Sequence, residues 1–269
     1  MLEAASIFQY EFAQRALAGG LLFALVAGVL GVFIVQRGLS FVGAGLSHAA
    51  FGGVALGLLL GVSPIWAAAP FTLLTALLLV FLQRRTKMKS DVIVGVLFAT
   101  AMALGAVFLS LKREVSGDVM SYLFGDILAI SSIEVWAAAG LAIVVLGAAA
   151  RYWGRWAYAA FDEELARSQG LRVALDDLVL LLLTALAVVV GMKMVGMVLL
   201  AAFLVIPASA ARLASRSLAG MTIGAVLIAL LSVVGGVVAS FVGDLPSGAT
   251  IVLIQALIFG AFAMIPRKA

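Results

Sequence analysis

The chain has 269 residues, of which 65% are apolar and 11% charged, with no cysteine and a formal net charge of +4. A soluble domain contains about 25% charged residues, so the composition excludes a soluble globular protein and predicts an all-α polytopic membrane protein. The lack of cysteine excludes a disulfide framework and a thiolate metal site. The small positive charge is explained by membrane topology and gives no reason to expect a nucleic-acid partner.

Nine apolar stretches are long enough to cross a hydrocarbon core of roughly 30 Å as a helix. They lie near residues 16–35, 41–62, 64–83, 92–111, 132–150, 174–192, 195–212, 218–241 and 247–265. The sixth and seventh are joined so tightly around residues 191–196 that eight spans remain an alternative. Residues 1–15 are expected to form a short interfacial helix, and residues 118–130 a short re-entrant or interfacial helix. The chain, residues 1–269, is predicted to be a single transmembrane domain with a polar loop at about residues 151–177.

The second span, residues 41–62, contains no full charge and holds His48, the only histidine of the chain. An imidazole in the hydrocarbon core is costly without a partner or a water-filled cavity, so His48 is a candidate functional residue. The alternative is a histidine that hydrogen-bonds to a neighbouring helix and contributes only packing.

Small residues recur every four positions in this span and predict close packing of helices. They are Gly45, Ala49, Gly53, Gly57 and Gly61. The span is therefore expected at the centre of the helix bundle, with His48 beside a helix–helix contact, a position that fits a permeation path.

Lys and Arg are divided unequally between the two sides of the membrane. With nine spans and an external N-terminus, thirteen of the 17 lie in the cytoplasm and four outside. This bias predicts a cytoplasmic C-terminus. The outer side collects acidic residues, among them Asp118, Asp126 and Asp244, and a modestly negative outer face suits the entry of cations.

The polar loop at residues 151–177 contains the sequence FDEELARSQGLR, which predicts a short helix. Asp162, Glu163 and Glu164 suit the positive end of a helix dipole, Arg167 suits the later turn, and Gly170 is placed to end the helix. Such an exposed helix is either a solvated connection or a docking element for a soluble partner.

Motifs for nucleotide binding and for serine hydrolysis are absent from the sequence. No G-x-x-x-x-G-K-[ST] motif occurs, so ATP hydrolysis is expected on a separate subunit. With one histidine and no G-x-S-x-G motif, the chain is not expected to be an enzyme.

Three stretches together resemble the permease subunits of metal-type ABC importers, the zinc and manganese uptake systems of bacteria and archaea. They are residues 39–61 with Ser47-His48-Ala49, residues 161–171, and residues 195–213 followed by DLPSGAT at 244–250. The likeness covers nearly the whole chain in the same order.

The resemblance implies a homodimeric permease in a prokaryotic cytoplasmic membrane, with two cytoplasmic ATPase subunits and an extracytoplasmic metal-binding protein. The permease would work by alternating access. No cofactor would be bound permanently; the cargo would be a divalent metal ion, with zinc placed first and manganese or iron left open. The stretch around Asp162, Glu163, Glu164, Arg167 and Gly170 would couple the permease to the ATPases.

Under the same resemblance, His48 falls on the histidine proposed to contact metal in the path. Many family members have an aspartate four residues earlier, where this chain has Ala44. A second copy of His48 across the dimer axis would complete the site, or an oxygen ligand from Asp118, Asp126 or Asp244 would do so. His48 would be a transient ligand, because a path that bound zinc tightly would not release it. The alternatives are a permease for a metal chelate or vitamin, in which His48 only packs, and a membrane scaffold without transport.

Overall fold

The computed structural model describes residues 9–86, 88–112, 122–123 and 125–264. Within these ranges the chain forms ten α-helices and no strand. They are α1 (Glu11–Gln36), α2 (Ser40–Leu60), α3 (Pro64–Thr86), α4 (Ser90–Leu111), α5 (Ser132–Phe161), α6 (Glu163–Ser168), α7 (Val173–Gly191), α8 (Met197–Ala214), α9 (Leu218–Gly243) and α10 (Ser247–Met264), with a 3₁₀ turn at Ile127–Ala129 before α5. All except α6 are long and apolar enough to cross a membrane. The prediction of an all-α polytopic protein is confirmed, with nine candidate spans in the described ranges.

Two helices form the centre of the bundle. In α1 and in α2, 78% of the most apolar stretch is buried, against 22% in α4. Helix α1 packs mainly on α5, α8 and α9, while α2 packs mainly on α3, α4, α7 and α8. Because burial cannot drive helices together in lipid, this central position depends on close packing.

The connections define two ends of the bundle. The end that contains α6 also contains the α1–α2, α3–α4 and α8–α9 connections, and we name it the α6 end. The opposite end contains the 3₁₀ turn and the starts of α1, α3, α5, α8 and α10. Trp66 and Trp136 are largely exposed there, as expected for aromatic side chains at a membrane interface.

Two boundaries differ from the prediction. Residues 11–15 belong to α1 and not to a separate interfacial helix. Helix α5 continues to Phe161, so the expected loop at 151–177 shrinks to residues 162–172 around α6. The 30 residues of α5 span about 45 Å at 1.5 Å per residue, which exceeds the thickness of a hydrocarbon core. Hydropathy shows where the lipid-compatible part ends and not where the helix ends.

The described part of the expected re-entrant segment is a partly buried turn that is hydrogen-bonded to the bundle. The backbone N–H of Asp126 donates to the Lys193 carbonyl at 3.1 Å, and that of Ile127 donates to Ser247 Oγ at 3.1 Å. Gly125 has a φ of 68° and packs directly against Gly196, an approach that a side chain would block. Non-helical backbone is tolerated at such a place because protein groups satisfy it.

Candidate functional site

The small residues of α2 lie against neighbouring helices at four of the five predicted positions. A Cβ at Gly53 would lie 2.5 Å from Ala68 Cα, and one at Gly57 would lie 2.9 Å from Pro64 Cα, both on α3. At Gly45 it would lie 2.6 Å from Val94 Cγ1 on α4. Ala49 is fully buried. The backbone of α2 therefore comes as close to its neighbours as small side chains allow.

Gly61 departs from this pattern and corrects the prediction. It follows the last residue of α2 with a φ of 71°, and a Cβ there would meet nothing within 4 Å. Its backbone N–H donates to the Leu58 carbonyl. Gly61 therefore ends the helix in the left-handed conformation that glycine adopts most easily and does not pack against another helix.

Replacing Gly53 with valine is expected to destabilise the folded protein. The added atoms would force α2 and α3 apart, and overpacking of this kind costs about 1–3 kcal/mol, which lowers the unfolding midpoint by several degrees. The measurement is thermal unfolding in detergent. Gly95→Val in α4 is the matched control, because a Cβ there meets nothing within 4 Å. Equal midpoints for the two variants would contradict close packing at Gly53.

His48 lies on a stripe of α2 that its own chain leaves partly uncovered. Phe41, Ala44, His48 and Phe51 are exposed or half-buried, and their spacing places them on one face of the helix. The imidazole meets the ring of Phe98 on α4 edge to face, with centroids 4.7 Å apart. By contrast, the neighbouring Ser47 is fully buried and donates to the Gly43 carbonyl at 2.8 Å. The imidazole is thus directed away from the packed interior.

Two of the three predicted outer carboxylates lie in the described ranges, and both are on other elements than α2. Asp126 is exposed at the 3₁₀ turn, accepts from the Leu128 backbone N–H at 3.0 Å and lies 3.4 Å from Ser247 Oγ. Asp244 is exposed at the end of α9 with a φ of 47°. Asp118 lies outside the described residues. Within the described ranges, no three acidic or histidine side chains form a group that could hold a metal ion, so Asp126 and Asp244 do not join His48 in such a group.

An ion pair at the end of the bundle opposite to α6 was not predicted from the sequence. Lys193 Nζ lies 2.6 Å from Glu134 Oε1, and Glu134 also accepts from the Ser131 backbone N–H at the start of α5. The pair joins the α7–α8 connection to α5. Opposite charges at the ends of neighbouring spans are the signal that would have suggested it.

The predicted cytoplasmic helix is present as α6. Asp162 precedes it and accepts from the Leu165 backbone N–H at 2.9 Å, which satisfies one of the free donors of the first turn. Glu163 pairs with Arg167 one turn later, and Glu164 is exposed. Gly170 has a φ of 81° and ends the helix as predicted.

Arg37 connects α6 to the transmembrane bundle, a role that nothing in its sequence context indicates. Its side chain is 7% exposed and binds Asp177 of α7 at 2.6 and 2.8 Å. The same guanidinium donates to the Ala159 carbonyl at 2.6 Å and lies 3.4 Å from Glu163. One residue between α1 and α2 therefore contacts α5, α6 and α7.

A second ion pair fixes the extended end of α5. Arg155 binds Asp176, whose side chain is 1% exposed, at 2.8 Å. Trp156 Nε1 donates to the Asp176 carbonyl at 3.1 Å. These contacts hold the last turns of α5 against the start of α7. They lie beside the Arg37 cluster, which consists of Arg37, Ala159, Glu163 and Asp177.

Comparison with known proteins identifies the family. A family model described as the ABC 3 transport family matches residues 9–265. The chain is 33% identical over 269 residues to the manganese transport system membrane protein MntC of Listeria monocytogenes, covering 100% of this chain and 96% of that protein. It is 34% identical to the high-affinity zinc uptake system membrane protein ZnuB of Haemophilus influenzae, covering 93% and 96%.

Solved structures agree with this assignment. PsaBC from Streptococcus pneumoniae, solved in complex with Fab, matches with a TM-score of 0.87 and 30% identity over 99% of this chain and 96% of that chain. An inward-facing putative metal-chelate type ABC transporter matches with a TM-score of 0.73 over 93% and 85%, but at 15% identity it shows only a shared fold. The resemblance stated from the sequence is confirmed: the chain belongs to the ABC 3 transport family.

Proposed function

We propose that the chain is the membrane-spanning permease of an ATP-driven importer for divalent metal ions, working by alternating access. The observation on which this proposal depends is the placement of His48, a lone imidazole on the partly uncovered face of the central helix α2. Relatives named for manganese transport and for zinc uptake support a metal ion as the cargo. Intramembrane ionisable residues commonly mark an ion pathway.

A second copy of the chain is the natural source of further ligands. The stripe Phe41, Ala44, His48 and Phe51 is partly uncovered in one chain, and Ala44 offers no carboxylate beside the imidazole. In a homodimer with this stripe near the axis, two imidazoles would face a shared path. A pair of imidazoles suits zinc, whereas manganese prefers carboxylate and water ligands, so zinc is placed first as the cargo. A site with few ligands also binds the ion weakly enough to release it.

The α6 end is assigned to the cytoplasm. Among the described residues it holds most of the Lys and Arg side chains, including Arg84, Arg85, Arg167, Arg212 and Arg216, as the positive-inside rule requires. The C-terminus is then cytoplasmic. The chain has no P-loop motif of its own, so ATP hydrolysis would need separate subunits. Two such ATPase subunits would bind at α6. An extracytoplasmic metal-binding protein would deliver the ion at the opposite end.

Liposomes that contain the purified permease with its ATPase and its delivery protein are expected to accumulate Zn²⁺ only when ATP is present. A non-hydrolysable ATP analogue serves as the control, with Mn²⁺, Fe²⁺ and a metal–corrinoid chelate tested in parallel. Uptake of the chelate without uptake of any free ion would support the chelate alternative. An assembled complex that transports none of these probes would support the scaffold alternative.

A further inference from the structure

The Arg37 cluster joins an exposed helix to the linker in front of α2. The linker between α1 and α2 consists of residues 37–39 alone. Within it, the Leu39 N–H donates to the Ile34 carbonyl at 2.9 Å, and Gly38 makes the tight turn with a φ of 67°. Because so short a linker cannot stretch, a displacement of Arg37 moves the first turn of α2.

The contacts of Arg37 fall into a fixed part and a part that is able to break. The bonds to Asp177 and to the Ala159 carbonyl are short, and the guanidinium is nearly inaccessible. A pair of this kind is held firmly, because separating it leaves uncompensated buried charge. Glu163 is farther away, at 3.4 Å, is 42% exposed and is shared with Arg167. The contact with the Glu163 carboxylate of α6 is therefore the weakest of the three.

Space for movement lies directly beside this link. A cavity of about 620 Å³ lies between α6 and the α3–α4 connection, and Arg37, Glu163, Arg167 and Asp177 line one side of it. Gln83 and Arg84 of α3 line another side. Because protein interiors are close-packed, an open cavity here leaves room for α6, Glu163 and the Arg37 side chain to move together.

We propose that Arg37 is a positioning residue for transport, which passes the movement of α6 through Glu163 to the start of α2 and so to His48. The inference rests on the proposed role of α6 as the ATPase docking helix. Movement imposed on α6 by the ATPase would pull on Glu163, and the paired Arg37 would carry the displacement into the α1–α2 linker. The covalent route through α5 or α7 would not need Glu163.

Glu163→Ala separates these two routes. Alanine is a good helix former, Asp162 still caps α6, and the buried pair of Arg37 with Asp177 is retained, so the variant is expected to fold. In the reconstituted complex with Zn²⁺ as the probe, co-purification of the ATPase, ATP hydrolysis and import are all measured, because Glu163 lies on the helix proposed to dock the ATPase. The number of ions imported per ATP hydrolysed is expected to fall about tenfold, which lies within the usual range of coupling between two sites. A loss of packing alone would lower hydrolysis and import together and leave this ratio unchanged.

Asp91→Ala is the matched control, because Asp91 is an exposed acidic residue in the first turn of another helix at the α6 end. Its ratio of import to hydrolysis is expected to stay at the wild-type value. A wild-type ratio in Glu163→Ala would overturn the inference and favour the covalent route. Loss of ATPase binding in Glu163→Ala alone would also overturn it, because Glu163 would then belong to the docking surface. Failure of the wild-type chain to bind any ATPase would instead contradict the proposed function.

Discussion

Replacing His48 with alanine is expected to lower Zn²⁺ uptake by the assembled importer at least tenfold while leaving the amount of folded protein unchanged. The imidazole is half-buried, and it meets the ring of Phe98 at a right angle, so its removal disturbs little packing. Loss of a partner behind a metal ligand already costs roughly 10–100-fold in affinity or activity, and loss of the ligand itself is expected to cost no less. The measurement is initial uptake at several Zn²⁺ concentrations in cells that lack other zinc importers.

Ser47→Ala is the control for this variant. Ser47 is adjacent in sequence but fully buried, and its hydroxyl bonds only within the helix, to the Gly43 carbonyl. A mere disturbance of α2 would affect uptake in both variants, whereas a ligand role affects His48→Ala alone. Normal uptake in His48→Ala would exclude the residue from the transport path and return it to the packing role considered from the sequence.

The membrane architecture could be predicted because lipid imposes a simple rule on sequence. Apolar stretches of about 20 residues must be helices there, and the nine predicted stretches match the nine candidate spans found among the described residues. The central position of α2 was also predictable, because small residues at four-residue spacing allow close approach. Gly61 shows the limit of that pattern: the period continues to it, but the helix has already ended.

Pairing of charges was not predictable from hydropathy. Arg37 counted only as a cytoplasmic charge, and nothing in one sequence shows that it faces Asp177, 140 positions later. The extension of α5 was missed for the same reason. Arg151 and Arg155 interrupt the apolar run and suggest a loop, but Arg155 is neutralised by Asp176 and the helix continues. Such contacts depend on tertiary packing, which hydropathy does not include.

The fold alone does not choose between an ion and a chelate as cargo. A transporter described as a putative metal-chelate type shares the fold with a TM-score of 0.73 at 15% identity, so a similar fold does not by itself name the cargo. The distinguishing feature is the chemistry of the path. A chelate needs width and no ion ligand, whereas a bare divalent ion needs an electron-pair donor such as the His48 imidazole. The His48 variant therefore tests the class of cargo more directly than a comparison of folds does.

Arg37→Ala is expected to have the largest effect on stability of any single substitution considered for this chain. The change leaves the Asp177 carboxylate and the Ala159 carbonyl without the donors that lie 2.6 Å away. Removing one partner of a buried ion pair costs about 3–5 kcal/mol. We expect a lower yield of monodisperse protein in detergent and a lower unfolding midpoint. Arg167→Ala is the control, because its pair with Glu163 is exposed and such helix pairs contribute only about 0.3–0.5 kcal/mol.

A double-mutant cycle separates the pair from the packing around it. If the orphaned charge causes the loss, Asp177→Asn in the Arg37→Ala background should recover part of the stability, because a neutral amide is cheaper to bury than a carboxylate. Contacting residues in one network commonly show interaction energies of about 0.5–3 kcal/mol. Additive effects of the two substitutions would mean that Arg37 stabilises the chain through its Ala159 bond and its aliphatic stem. The ion pair would then be too weak to hold the α1–α2 linker, and the fixed part of the proposed link from α6 to His48 would be lost.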